Sequence, residues 1–174
     1  YYIYCSAILY ILLYDDIVIT SQRHSNHRIT TTIIKGKMAQ FESSIKEIPY
    51  AQQQVYNMLS DLSNIDRIKD KVPEDKLQNL TFDHDSISID VAPVGAVSMR
   101  IIEREEPKTI KFESENSPMP FNFWIQLLPT GDTASKMRLT IKADIPIFLK
   151  AMVSKPLQEG IEKIADALAI IPYE

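Results

Sequence analysis

Cysteine, glycine and histidine are scarce in this chain of 174 residues, and each scarcity excludes a kind of chemistry. The only cysteine is Cys5, so from Met38 onward there is no thiol for a disulfide, a nucleophile or a metal ligand. Four glycines leave no Gly-rich phosphate loop, and no G-x-S-x-G nucleophile motif occurs. We therefore expect no catalytic residue of these kinds, no cofactor and no metal site.

Residues 1–37 lack the features of either a membrane anchor or a secretory signal. The uncharged run YYIYCSAILYILLY ends at Asp15 and Asp16, whereas a spanning helix needs about 20 apolar residues. No lysine or arginine precedes Arg23, although a signal peptide begins with a positive region. We expect residues 1–37 to be an N-terminal extension outside the native fold, with Met38 as the working start and residues 38–174 as one domain.

The predicted domain is acidic and has no basic cluster. From Met38 onward, 15 Lys and Arg residues face 21 Asp and Glu residues, which gives a net charge of −6. A nucleic-acid duplex or an anionic lipid surface would be expected to select Lys and Arg gathered on one face. We therefore expect no nucleic-acid partner, no stable membrane insertion and a cytoplasmic location, and the sequence leaves the oligomeric state open.

The first part of the domain predicts one strand followed by two short helices. QFESSIKEI alternates, which predicts a strand with Phe41, Ser43, Ile45 and Glu47 on one face. Apolar residues then recur at helical spacing in PYAQQQVYNMLS and again in SDLSNIDRIKDK. A proline opens the first helix, and Val72 and Pro73 end the second.

Residues 77–145 predict an antiparallel meander. Together with the first strand of the domain, the predicted sheet has six or seven strands. Period-two segments alternate with turn clusters at residues 83–86, 93–95, 105–108, 116–118 and 130–132. The clearest strand is SKMRLTIKADI, whose apolar and polar residues alternate without exception. This pattern gives the sheet one dry face and one wet face, and it leaves Trp124 on the outer face.

The last segment, PIFLKAMVSKPLQEGIEKIADALAII, predicts a long helix across the sheet. Its predicted apolar stripe consists of Phe148, Met152, Leu157, Ile161, Ile164, Ala165 and Leu168. Pro156 lies inside the pattern and predicts a kink or a break near Ser154. Two interpretations stay open: a simple bend around the core, or a hinged cover formed by residues 147–156.

Two stretches of the sequence resemble a known superfamily. FESSIKEIPYAQQQVYNMLSDLSNIDR and FNFWIQLLPTGDTASKMRLTIKADIPIFLKAMVSKPLQEGIEKIADAL are similar to the opening and closing parts of the SRPBCC superfamily, which includes START lipid-transfer domains, plant pathogenesis-related allergens and polyketide cyclase/dehydrase-like proteins. The resemblance covers nearly all of residues 40–171. One departure is Ile48 before Pro49, where family members more often have alanine. The resemblance implies an α+β helix-grip fold, in which a curved antiparallel sheet wraps around the long C-terminal helix.

The resemblance also implies a deep apolar cavity between the sheet and that helix. Flexible methionines and flat phenylalanines suit such a wall, although the same residues also suit an ordinary core. The predicted cavity residues are Val97, Met99, Ile101, Ile110, Phe112, Phe121, Phe123, Ile125, Met137, Leu139, Ile141, Phe148, Met152 and Pro156. Polar groups could enter from Ser114, Asn116, Asn122 or Gln126, depending on a strand register that the sequence does not fix.

Three functions follow as hypotheses. The first is a non-enzymatic module that binds, and in some settings transports, a hydrophobic small molecule or lipid. The second is an enzyme, a cyclase or dehydratase of the polyketide type, in the same cavity. The third is a protein-interaction module. His84, the only histidine after residue 37, lies in the turn sequence DHDS and is expected on the surface rather than in catalysis.

Overall fold

The structure, a computed structural model, describes residues 37–67, 80–91, 95–116 and 120–173. Its elements are β1 (Lys37–Glu42), β2 (Lys46–Ile48), α1 (Gln52–Leu59), a 3₁₀ helix (Leu62–Arg67), β3 (Thr81–Phe82), β4 (Ser86–Val91), β5 (Gly95–Glu105), β6 (Thr109–Glu115), β7 (Phe121–Pro129), β8 (Ser135–Ile145) and α2 (Lys150–Ala169). The extension predicted for residues 1–37 lies outside the described residues except for Lys37, which begins β1. The part of the second predicted helix beyond Arg67 lies outside them too.

The described strands form one antiparallel sheet. Its order is β1-β8-β7-β6-β5-β4-β3, with β2 also paired to β8, so β3 to β8 follow one another as a meander. The predicted α+β helix-grip fold is confirmed: a curved antiparallel sheet, a short helix after the first strand and a long C-terminal helix. The described sheet has eight strands rather than six or seven, because the first strand is split in two and Thr81–Phe82 adds a two-residue strand.

A β-bulge splits the first strand. Glu42 pairs with Thr140 and Lys46 pairs with Met137, so three residues of the first strand lie opposite two of β8. One extra residue reverses the alternation beyond it. The prediction that Ile45 and Glu47 share the face of Phe41 is therefore wrong: Ile45 is 52% exposed, and Lys46 and Ile48 point inward in their place.

The C-terminal helix α2 runs without a break through Pro156. The sequence predicts a kink or a break near Ser154. The prediction of a break is wrong, because the helix is continuous there. The Ser154 hydroxyl donates to the Lys150 carbonyl at 2.5 Å, and Ser154 lies two residues before the proline, which has no N–H to donate. Val153 in the same stretch is buried against Phe41 and its neighbours, so this part of the helix is packed on the sheet.

The two helices cover different parts of the concave face. α2 lies along β1, β2 and β8, whereas α1 packs against β6 and β7. In α1 the buried side chains are Val55, Tyr56 and Met58, which recur at the spacing of one helix face. The main contacts of α2 are therefore with one edge of the described sheet and not with β3, β4 or β5.

Candidate functional site

One end of the interior between sheet and helices is solidly packed, and we call it the packed end. Its most buried side chains, each at most 1% exposed, are Ile48, Val55, Ile110, Met137, Leu139 and Ile161. They come from five different elements, so the core here is closed from every side. Tyr173 completes it, because its hydroxyl donates to the Leu168 carbonyl at 2.7 Å and its ring meets Tyr50 edge-on.

The other end of the same concave face is only partly covered. Phe82 pairs with Ile87, Ile87 pairs with Met99, and Val97 lies two residues before Met99 on the same face. We call Phe82, Ile87, Val97, Met99 and Phe121 the open strip, because all five are half-buried although they point to the concave side. Apolar side chains that face a filled core are normally buried. Ile87, Met99 and Phe121 still touch the buried core cluster, so among the described residues the open strip is the less completely covered part of this face.

Two sides of α2 flank the face that packs on the sheet. Ile161 and Ala165 face the sheet and are fully buried, while Glu162 points toward β2 at the sheet edge. Gly160 lies on the opposite side of the helix from Glu162, away from that edge, and we call this side the Gly160 flank. A side chain at Gly160 would meet no atom within 4 Å, which agrees with open space on that flank. Ile164 on the same side is 46% exposed.

Ser114 is the polar residue that the described part of the structure places beside the open strip. It pairs with Met99 across the sheet, and its Oγ accepts a hydrogen bond from the Phe121 N–H at 3.0 Å. An oxygen that accepts this bond keeps its own proton to donate. Asn122 and Gln126 instead share the outer alternation with Trp124, which settles the register that the sequence left open.

The paired strands β6 and β7 end next to Ser114. Their pairing ends at Glu113 and Asn122, and beyond it lies an open depression of about 250 Å³. Its lining residues are Met38, Glu113, Ser114, Pro120, Phe121, Asn122, Lys142 and Asp144. This lining includes Phe121 of the open strip and its neighbour Ser114.

The predicted cavity residues divide among these regions. Buried in the packed end are Ile101, Ile110, Phe112, Phe123, Ile125, Met137 and Leu139. Val97, Met99 and Phe121 belong to the open strip, and Ile141 is half-buried between the two core clusters. Pro156 is half-buried on the α2 flank. Their role as a ligand wall stays a prediction.

Phe148 and Met152 lie away from the interior. Phe148 is 64% exposed and Met152 is 46% exposed, while Leu149 and Val153 pack against the sheet in that stretch. Residues 149, 153, 157, 161 and 165 follow one another at four-residue steps, the spacing of one helix face. The predicted stripe began one position too early, which turns its first two members to solvent.

Sequence reasoning missed the polar tether that holds α2. Lys46 Nζ lies 3.1 Å from Glu162 Oε2 and 2.6 Å from Asp166 Oδ1, and Gln158 donates to the Glu42 carbonyl at 2.7 Å. The Ser44 N–H and hydroxyl both donate to the Glu162 carboxylate. These hydrogen bonds, the backbone one first, hold the pKa of Glu162 below its ordinary value, and the bonds to Asp166 and Glu162 raise the pKa of Lys46.

His84 lies in a surface turn, as expected. It is well exposed, its Nδ1 lies 3.0 Å from Asp61 Oδ1, and the neighbouring Asp85 pairs with Arg104 at 2.6 Å. The hydroxyl and N–H of Ser63 are the main cause that lowers the pKa of Asp61. Among the described residues no group of three or more His, Cys, Asp and Glu side chains could hold a metal ion. The cluster joins the 3₁₀ helix to the turn before β4.

Trp124 lies on the outer face, as expected, and two lysines cover it. Lys111 Nζ is 5.6 Å and Lys142 Nζ is 5.3 Å from the ring centroid, within the range of cation–π attraction. The ring is half-buried as a result. This contact explains the tryptophan as part of the outer face.

Comparisons with known proteins agree with the fold. No protein-family model matches the sequence, and no curated protein matches it significantly. Norcoclaurine synthase from Thalictrum flavum is similar with a TM-score of 0.67 and 12% identity, over 84% of this chain and 93% of that chain. The same enzyme in complex with dopamine and hydroxybenzaldehyde has a TM-score of 0.65, with 12% identity over 84% of this chain and 95% of that chain.

A bacterial protein shows the same likeness. The protein XoxI from Bacillus cereus is similar with a TM-score of 0.55 and 14% identity, over 75% of this chain and 93% of that chain. At these identities the likeness concerns the fold alone. This chain has the helix-grip fold. This is the fold that the sequence resemblance implies. In the described residues, no helix combines the length and apolarity needed to cross a membrane.

Proposed function

We propose that this protein binds a hydrophobic small molecule or lipid between the open strip and the Gly160 flank of α2. The observation that carries the proposal is that five apolar side chains on the concave side of the sheet are half-buried rather than buried. Water over such a surface costs about 25 cal/mol per Å² of apolar area, which an apolar ligand would recover. The packed end offers no comparable surface, since its apolar side chains are buried.

Ser114 gives the proposed ligand one polar requirement. Its hydroxyl accepts from the Phe121 N–H and retains a proton for a ligand oxygen. A ligand with an apolar body and one carbonyl, carboxylate or hydroxyl acceptor fits this arrangement better than a pure hydrocarbon. A few placed polar groups in an apolar site are the usual source of orientation.

Titration with an environment-sensitive apolar dye and its displacement by oleic acid test the proposal. We expect saturable binding at one site, and we expect Gly160→Phe to weaken it at least roughly tenfold by filling the space beside the helix. Gly131→Phe is the matched control, because Gly131 also has no atom within 4 Å of an added Cβ but lies in the turn between β7 and β8. Equal binding by the two variants, or no saturation by any ligand, would count against the proposal.

An enzyme of the polyketide cyclase or dehydratase type is the second candidate. In its favour is the fold shared with norcoclaurine synthase, an enzyme by its name. Catalysis needs polar groups aimed at the reacting atom, and Ser114 supplies one such group beside the open strip. A poly-β-keto thioester that loses one water in the presence of the protein, and much more slowly with Ser114→Ala, would favour this function over simple binding.

A further inference from the structure

An exposed apolar tip follows the last strand of the sheet. Ile147 is 67% exposed, Phe148 is 64% exposed and Met152 is 46% exposed, all within six residues of chain between β8 and the first turn of α2. We call these three residues the apolar tip. In this stretch Leu149 and Val153 are the residues that pack on the sheet. The tip therefore contributes nothing to the described core.

The charges around the tip have one sign. Residues 145–158 contain Lys150 and Lys155 and no Asp or Glu, in a chain whose net charge is −4. The first carboxylate after them is Glu159, whose Oε1 lies 3.8 Å from Lys155 Nζ. Before them, Asp144 lies on the alternate, outer face of β8. An anionic surface would attract this segment and repel most of the remaining protein, so it would orient the molecule with the tip toward the surface.

The tip lies at the same end of the sheet as the open strip. It follows Ile145 at the end of β8, and Phe121 at the start of β7 pairs with Ala143, only two residues before that end. Val97 lies near the start of β5. A surface that contacts the tip therefore also faces the open end of the interior.

From exposure, charge and position together, we infer that the protein docks reversibly on anionic lipid bilayers through the apolar tip. Ile147, Phe148 and Met152 enter the boundary between headgroups and acyl chains, and Lys150 and Lys155 lie at headgroup level. Two lysines with three apolar side chains suit weak, reversible binding rather than the basic cluster of a strongly anchored protein. The docking itself does not depend on the proposed ligand site.

Flotation with two kinds of vesicle tests the docking. Pure phosphatidylcholine vesicles and vesicles with about one third phosphatidylserine are each mixed with the full chain. We expect binding to the anionic vesicles that weakens with salt. The double variant Ile147→Ser with Phe148→Ser should lower the partition coefficient at least roughly tenfold, because two apolar side chains no longer enter the bilayer. Lys150→Gln and Lys155→Gln should each lower it roughly fivefold.

The matched control is Ile45→Ser with Leu128→Ser, which removes two apolar side chains that are 52% and 63% exposed but lie outside the tip. It should bind vesicles like the original protein.

Unchanged binding by the tip variant would overturn the inference, as would equal loss in the control or no binding to either vesicle. A native mass that falls from dimer to monomer in the tip variant would assign the tip to a second copy of this chain instead. Vesicle binding without dye binding would support the docking and count against the proposed ligand site.

Discussion

The packed end and the open strip belong to the same sheet and are built from the same kinds of residue, yet they differ in how they are covered. Met137 in the packed end is 1% exposed, whereas Met99 in the open strip is half-buried. Both methionines lie at inner positions of long strands, in β8 and β5. Residue type and strand alternation therefore do not decide which end is filled.

The placement of the helices decides it. α2 follows the edge formed by β1, β2 and β8, and α1 covers β6 and β7 near the packed end. The tether from Lys46 to Glu162 and Asp166 holds α2 to that edge. Among the described residues, neither helix makes its main contacts with β3 or β4, whereas Ile101 of β5 is buried in the packed end. The difference teaches that the position of the helices, rather than residue type, decides which part of this sheet is closely packed.

The largest expected effect compares the two methionines directly. Met137→Ala should lower the free energy of unfolding by about 3 kcal/mol, because it leaves a cavity in a closed core. Met99→Ala should lower it by about 1 kcal/mol or less, since its side chain is already partly in contact with water. Urea denaturation of both variants measures the two values. Equal losses would mean that the two ends are packed alike and would break the comparison.

The next effect compares two positions of α2. Gly160→Ala should raise the free energy of unfolding by about 0.5 to 1 kcal/mol, because alanine favours a helix interior and meets no neighbour there. Ala165→Leu should lower it by about 1 to 3 kcal/mol, because Ala165 is fully buried against the sheet and has no room for three more carbons. Thermal or urea unfolding of the two variants measures whether each change in the free energy of unfolding is positive or negative. Destabilisation by both variants would show that the Gly160 flank is as closed as the Ala165 face.

Most of the fold could be predicted from the sequence, because the apolar and polar residues of each strand alternate within a short stretch of chain. In β8 each apolar residue at an odd position from Met137 to Ile145 faces inward, as its alternation requires. The prediction failed at Ile45, where a bulge of one extra residue reversed the faces. A bulge depends on the partner strand, about 95 residues further along this chain, so the alternation of the first strand alone could not reveal it.

The site could be predicted only in part, because its boundaries depend on contacts distant in sequence. The inner positions of β5 and β7 were found by alternation, but which of them are covered depends on where α2 lies. Phe148 and Met152 were misplaced because two apolar stripes, one residue apart, compete at the start of α2. The tether of Lys46 was missed because charged residues on separate elements show no pattern until the fold joins them.

The smallest expected effect concerns this tether and acid. The pKa of Glu162 is lower in the folded state than its ordinary value of 4.5, chiefly because the Ser44 N–H donates to it. The carboxylate therefore stabilises the fold at pH values above 4.5, and this contribution is lost as the pH falls through the lowered pKa, where the unfolded chain binds the extra proton first. Asp61 and Asp83, whose pKa values are also lowered, lose their contributions only as the pH falls below their ordinary value of 3.8, and they do so equally in every variant that keeps both residues.

Glu162→Gln should accordingly be slightly less stable than the original chain at pH 7 and should lose less stability between pH 4.5 and the acid transition. The group is partly exposed, so solvent keeps the effect small. Unfolding at a series of pH values measures it, with Glu159→Gln as a control on the same helix whose carboxylate has no bond to Ser44. Because Glu162 lies on the β2 side of α2, the same variant should leave dye binding beside Gly160 unchanged. A parallel loss of dye binding would mean that the edge of the sheet also holds the open end in shape, and the two regions would then be one unit.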